Sequence, residues 1–184
     1  MRKFPLRLQK DSMKCGSTCL QMIFKYYGLN VSNDKIDSLC YATREGVSLL
    51  SLQEAALKLG FKCSCVKISC EMLAGNTNPC ILHWNQNHFV VLYKVKAGKK
   101  FYVADPSKGL ICFAFEDFKK HWISTVSNGK EKGVAMFIEP IDVFLGKSVT
   151  NERIQKRSFK FLVGYLLQYR KYLIQIISGL ILGC

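Results

Sequence analysis

The run His88-Phe89-Val90-Val91-Leu92-Tyr93-Lys94-Val95-Lys96-Ala97-Gly98-Lys99-Lys100-Phe101-Tyr102-Val103-Ala104-Asp105 reads as two strands and the turn between them. β-branched and aromatic residues fill His88–Val95 and Phe101–Ala104, and Ala97-Gly98-Lys99-Lys100 interrupts them as a tight hairpin. Strands joined this way run antiparallel, so the beginning of the first lies beside the end of the second. His88 and Asp105 therefore become near neighbours. Alternation places His88, Val90 and Leu92 on one face. A histidine at the start of a buried strand is held rigidly, which suits a general base. A carboxylate beside it can bind one imidazole nitrogen and fix the tautomer.

Similar short strands are expected at Phe61–Ile68, Cys80–Trp84, Leu110–Phe113 and Val134–Ile138, with Ser107-Lys108-Gly109 as a second hairpin turn and a helix over Phe115–Ile123. The first 60 residues have a different texture. Cys19, Leu20, Ile23, Phe24 and Tyr27 recur at helical spacing from Cys15, and Gly28 stops the run. Ser32 or Asn33 can cap a second helix reaching Cys40. Leu49, Leu52, Ala56 and Leu59 mark a third from Ser48, ended by Gly60. Helices first and an antiparallel sheet after them make an α+β domain.

Upstream of the first helix stands Gln9-Lys10-Asp11-Ser12-Met13-Lys14-Cys15-Gly16. A cysteine at a helix N-terminus feels the positive end of the macrodipole, which favours the thiolate, the nucleophilic form. A side-chain amide just ahead of it can donate to a developing oxyanion. Singly, each residue has a plainer reading: a buried apolar cysteine, a structural histidine, an aspartate in a turn. In the order Gln9, Cys15, His88, Asp105, with His88 and Asp105 brought together by the hairpin, they argue for catalysis. His83 is the rival base, but it precedes the Asn85-Gln86-Asn87 turn on the preceding strand and need not face Cys15. His121 sits among Lys119, Lys120 and Trp122 on a surface helix.

Of the 184 residues, 49% are apolar, enough for a proper core. Nine cysteines at irregular spacing read as free thiols in a reducing compartment, because Met1-Arg2-Lys3-Phe4-Pro5 opens no secretory signal. Cys63, Cys65 and Cys70 lack the second C-x-x-C pair of a structural zinc site, so no metal is expected. Cys19, one helical turn from Cys15, reads as a core residue. The net charge is +14: residues 1–140 hold 20 Lys and Arg against 11 Asp and Glu, and residues 141–184 hold 7 against 2. Such a charge suits nucleic acid or an anionic membrane surface. No RNP, zinc-finger or helix-turn-helix signature supports the former.

The motifs Gln9-x-Asp11-x-x-x-Cys15-Gly16-x-x-Cys19-Leu20, Ile81-Leu82-His83-Trp84, His88-Phe89-Val90-Val91-Leu92 and Ala104-Asp105-Pro106 resemble the double-glycine, bacteriocin-processing cysteine peptidases. These are papain-like domains at the N-terminus of peptidase-containing ABC exporters, and the resemblance covers about residues 4–140. It implies Cys15 as nucleophile, His88 as base, Asp105 as orienter and Gln9 as oxyanion donor. It also implies removal of a secreted peptide's leader after a Gly-Gly or Gly-Ala pair, coupled to export. Lys14 departs from the family, where an acidic residue is common before the nucleophile; a neighbouring cation should favour the thiolate.

After Pro140, residues 141–170 read as a linker and a basic amphipathic membrane-surface helix, and residues 171–184 as the start of a first transmembrane helix, truncated at Cys184. Tyr172–Cys184 carries no charge in thirteen residues, while a full span needs roughly 20. No G-x-x-x-x-G-K-[ST] loop is present. The chain is therefore expected to hold no cofactor of its own, with ATP confined to a nucleotide-binding domain beyond it. The expected partners are a precursor's leader peptide, the exporter's transmembrane and nucleotide-binding domains, and the membrane, with no nucleic acid. The expected location is the bacterial inner membrane, with the peptidase domain on its cytoplasmic side. Three other readings remain: a non-catalytic docking domain of the exporter, a transglutaminase-like acyl transferase with the same triad, and a basic module for membrane surfaces or nucleic acid.

Overall fold

The three N-terminal helices form where apolar spacing predicts them: α1 (Cys15–Tyr26), α2 (Asn33–Leu39) and α3 (Leu49–Lys58). The computed structural model describes residues 3–40, 46–127 and 129–141. A single 3-10 turn, Ser12–Lys14, leads into α1 and is capped by Asp11, whose carboxylate accepts from the Met13 N–H at 3.0 Å. Gly28, at φ +90°, ends α1 in a conformation that L side chains disfavour. Ser48 and Ser51 form a capping box at the start of α3.

The strands are β1 (Phe61–Ile68), β2 (Cys80–Trp84), β3 (His88–Lys96), β4 (Lys100–Asp105), β5 (Gly109–Ala114), β6 (Ile123–Ser127) and β7 (Lys130–Pro140), with α4 (Cys70–Ala74) after β1 and α5 (Phe115–Trp122) after β5. All pairings are antiparallel, in the order β1-β7-β2-β3-β4-β5, with β6 also paired to β7. Two elements escape the sequence pattern. α4 is five residues long, too short to show a helical period. β6 has no fully buried face, so it lacks the alternation that marks a half-buried strand. The expected strand Val134–Ile138 extends to Lys130–Pro140, because its first residues pair with β6 and the rest run between β1 and β2.

Each face of the sheet has its own core. Phe61, Ile81, Phe89, Val91, Ala104, Met136 and Ile138 pack with α1, α2 and α3. Leu82, Val90, Leu92, Phe101, Val103 and Ala135 pack with Phe118 and Trp122 of α5 and Leu73 of α4. The period of two along β3 and β4 sorts these residues between the faces. A bulge at Tyr93 interrupts it: Lys94 pairs with Tyr102, but Leu92 pairs with Val103. Without the bulge Asp105 would stand opposite Val91. With it, the register carries Asp105 to Val90, on the same face as His88.

The expected amphipathic helix and truncated transmembrane helix, residues 142–184, lie outside the described residues. Among the described residues no helix is long and apolar enough to cross a membrane.

α1 meets β3 at Gly16. A Cβ there would overlap Val47 Cγ2 and stand 3.1 Å from Leu52 Cδ1 and 3.2 Å from Phe89 Cδ2. Gly16→Ala should therefore lower stability by about 1–3 kcal/mol, read from a denaturant midpoint. An unchanged midpoint would mean that the helix start can move away from Val47 at no cost.

Candidate active site

The N-terminus of α1, the start of β3 and the end of β4 converge. Cys15 is the first residue of α1 and only 7% exposed. The His88 ring and the backbone N–H groups of Phe89 and Gly16 stand near enough to its thiol to favour the ionised form. On its far side the His88 ring meets Asp105, with Nε2 2.9 Å from Oδ1, which leaves Nδ1 for the thiol. Asp105 Oδ1 also accepts from the Ser107 N–H and from Ser107 Oγ, each at 2.7 Å. The carboxylate is 4% exposed yet has three donors on one oxygen.

These contacts set the charge states. Burial alone would push the Cys15 thiol up, but the His88 ring, the Phe89 N–H, the His88 charge and the Gly16 N–H outweigh it and hold the group below the ordinary thiol value. Burial would lower His88, but bonds to Asp105 and Cys15, and their charges, push it up to about 9. Burial would raise Asp105, but the His88 and Ser107 donors hold it down at about 2. At neutral pH His88 therefore rests as imidazolium and Asp105 as carboxylate, and both favour the thiolate form of Cys15. Other thiols move the opposite way. Burial pushes Cys40, Cys63, Cys70 and Cys80 up to about 12, and raises Cys19 well above the ordinary value.

Gln9 comes beside this chain because its N–H donates to the Pro106 carbonyl at 2.8 Å. Its side-chain Oε1 is buried with no hydrogen-bond partner among the described residues. An open cleft of about 320 Å³ runs beside His88 and Asp105, with Gln9, Trp84, Asn87, Ser107 and Lys108 in its wall.

All four residues singled out in the sequence thus belong to this neighbourhood, while His83 does not join the thiol. Its ring stands 5.3 Å from that of Phe89 and its hydrogen bond goes to the Gln86 backbone. Lys14 behaves differently from the expectation placed on it. It pairs with Asp37 of α2 at 2.8 Å, and the groups that lower Cys15 are His88, Phe89 and Gly16 instead. Sequence reasoning missed the Phe89 N–H and Ser107. A backbone donor leaves no side-chain signal, and a serine after Asp-Pro is indistinguishable from a turn residue. Among the described residues no three or more His, Cys, Asp or Glu stand together as a metal site.

A family model described as the Peptidase C39 family matches residues 3–129. The chain belongs to the Peptidase C39 family. This C39 domain is a cysteine peptidase domain, similar to those of bacteriocin-processing ABC transporters. It is 31% identical over 130 residues to the lactococcin-G-processing and transport ATP-binding protein LagD of Lactococcus lactis subsp. lactis, covering 67% of this chain and 18% of LagD. It is 26% identical over 176 residues to the colicin V secretion/processing ATP-binding protein CvaB of Escherichia coli, covering 95% of this chain and 23% of CvaB. The chain thus spans roughly a fifth of the length of these relatives. Among solved structures it superposes on a double glycine motif protease from an AMS/PCAT transporter, crystallised with the leader peptide, at a TM-score of 0.66 and 31% identity, covering 76% of this chain and 93% of that one. The peptidase domain of Streptococcus ComA, a bifunctional ABC transporter of a quorum-sensing pathway, gives 0.63 at 25% identity, covering 76% of this chain and all of that one.

The charge states can be checked by titration. Iodoacetamide should alkylate Cys15 faster at neutral pH than an ordinary cysteine thiol, and the rate should fall toward acid pH. Asp105→Asn removes the main support of the imidazolium, so the midpoint should move to higher pH by about one unit or more; an unmoved profile would show that Asp105 does not charge the pair. Stability follows the same groups. Asp105, at about 2 folded against roughly 3.9 unfolded, stabilises above about pH 4, and this is lost as pH falls through about 2. His88, at about 9 folded against roughly 6.5 unfolded, stabilises below about pH 6.5, and this is lost as pH rises through about 9. The denaturation midpoint should therefore peak between these limits, and Asp105→Asn should flatten its acid side.

Proposed function

We propose that the domain removes the leader of a secreted peptide by cutting after a Gly-Gly or Gly-Ala pair, with Cys15 as nucleophile, His88 as acid and base, Asp105 as orienter and Gln9 as oxyanion donor. The observation that carries this reading is the His88 ring bonded to Asp105 at 2.9 Å, beside the Cys15 thiol that it helps to ionise. The Cys15 thiolate attacks the carbonyl carbon of the second small residue. The C=O electron pair moves onto oxygen, where the Gln9 amide and the Cys15 backbone N–H receive it. As the C–N bond breaks, the His88 imidazolium gives its proton to the leaving amine. Water then attacks the thioester as His88 takes a proton from it, the C–S bond breaks and returns its electron pair to the Cys15 thiolate, and the leader leaves with a free carboxyl group. Asp105 holds the imidazole in the tautomer these transfers need.

A 7% exposed nucleophile supports the small-residue requirement. A side chain larger than a methyl group on the residue donating the carbonyl would have to displace the walls around Cys15, whereas glycine and alanine would not. Steric exclusion rejects larger residues but supplies little affinity, so binding energy comes from the leader upstream, as an amphipathic helix on an apolar surface. The solved relative crystallised with a leader peptide supports this substrate class. The names of LagD and CvaB, which pair processing with transport, support coupling to export by membrane-spanning and nucleotide-binding parts of the same protein. On this reading the domain works on the cytoplasmic side of the bacterial inner membrane, where the precursor is made, and residues 141–184 connect it to the membrane.

Incubating the 184-residue chain with peptides that end a helical leader in Gly-Gly, Gly-Ala or Leu-Leu before a short cargo, followed by mass spectrometry, tests the proposal. Cuts are expected after Gly-Gly and Gly-Ala, none after Leu-Leu, and none at all with Cys15→Ala. Peptide that binds but stays intact with a reduced Cys15 would favour a docking domain instead.

A further inference from the structure

The leaving group must depart toward the residue that protonates it. His88 is that residue under the proposed mechanism, on which this inference rests, so the chain beyond the scissile bond passes over His88 and Asp105. The open cleft of about 320 Å³ lies there: His88 and Asp105 line it, and Cys15 does not. We propose that this cleft is the subsite for the first cargo residue after the cut, and that Lys108 makes it select a polar or acidic side chain at that position.

The lining supports the selection. Gln9, Ser12, Asn85, Asn87 and Ser107 all present polar groups, and the one large apolar side chain, Trp84, is 4% exposed. A large apolar cargo residue would find little carbon surface to cover, and the cleft's polar groups would lose water without a partner in return. Among the lining residues the charges of His88 and Asp105 cancel within their own bond. Lys108 remains as the unbalanced charge, exposed on the turn that follows Asp105. It attracts a carboxylate in the cleft and repels a cation.

The wall is built before substrate arrives. The Asn85 N–H donates to the His121 carbonyl at 2.9 Å, and His121 Nδ1 donates to Asn85 Oδ1 at 2.8 Å. The His121 ring also stacks on Trp84, with centroids 5.2 Å apart. Asn85 and Gln86 hold positive φ angles of 48° and 61°, so the turn needs such anchors. With Oδ1 engaged, Asn85 keeps its amide N–H groups for a ligand. The opposite hairpin is fixed by two hydrogen bonds from Ser107 to Asp105.

The test is a set of four peptides with one Gly-Gly leader and Asp, Asn, Leu or Lys as first cargo residue, compared by kcat/KM. The expected order is Asp and Asn first, then Leu, with Lys slowest. An exposed charge contact changes rates by about two- to five-fold. Lys108→Glu should therefore swing the Asp-to-Lys ratio by on the order of ten-fold, and added salt should shrink the effect. Lys99→Glu, on the hairpin at the far end of β3, makes the same change in net charge and should leave the ratio alone. Equal rates for all four peptides, or a ratio that responds equally to both variants, would overturn the subsite while leaving the leader peptidase standing. If no peptide is cut, both fall.

Discussion

The first turn of α1 presses against β3 at Gly16, and the rest of the site depends on that contact. With no Cβ between them, the helix start reaches the Phe89 backbone and ring closely enough for Cys15 to meet both His88 and the Phe89 N–H. Phe89 serves the core and the chemistry together. Its N–H supports the Cys15 thiolate, its carbonyl accepts from Cys19 Sγ at 3.3 Å, and its ring packs in the α1-side core. Cys15 is thus placed by helix-on-sheet packing, which is among the stiffest contacts a small domain has.

Burial pushes every one of these thiols up, but with opposite outcomes at Cys15 and at the others. For Cys63, Cys70 and Cys80 it goes largely unopposed, and the thiols stay protonated far above neutral pH. At Cys15 the same penalty is present and is overcome by a cation and two backbone donors. That cation exists because Asp105 sits behind it, and Asp105 is held ionised by His88 and by two further donors from Ser107. The result is a buried polar chain in which each charged form is favoured by its neighbour. Surface pairs such as Lys120 with Asp117 contribute little by comparison, since water screens them.

The bulge at Tyr93 shows how a small backbone irregularity serves the chemistry. It adds one residue to β3 and so moves Asp105 onto the face that His88 occupies. Diagonal neighbours on one sheet face lie within reach of long side chains, and a 2.9 Å bond results. Tyr93 itself turns to stack on Phe4, with centroids 4.7 Å apart, which ties the N-terminal segment carrying Gln9 to the sheet.

Helices α1, α2 and α3 and most strands could be read from the sequence, because period 3.6, period 2 and the stops at Gly28 and Gly60 are local properties of the chain. The approach of His88 to Asp105 was legible for the same reason: one hairpin, Ala97–Lys100, joins their strands. Where the signal was not local, reading failed. α4 is too short for a period, and β6 exists because β7 extends to meet it. Lys14 could neighbour Cys15 in sequence and still turn to Asp37. The sequence by itself determined the order of elements and which residue types could form a nucleophile, a base and an orienter. Only the tertiary structure decided the bulged register, the Phe89 and Ser107 donors and the cleft beside His88, because each depends on atoms brought together by packing across elements distant in the chain.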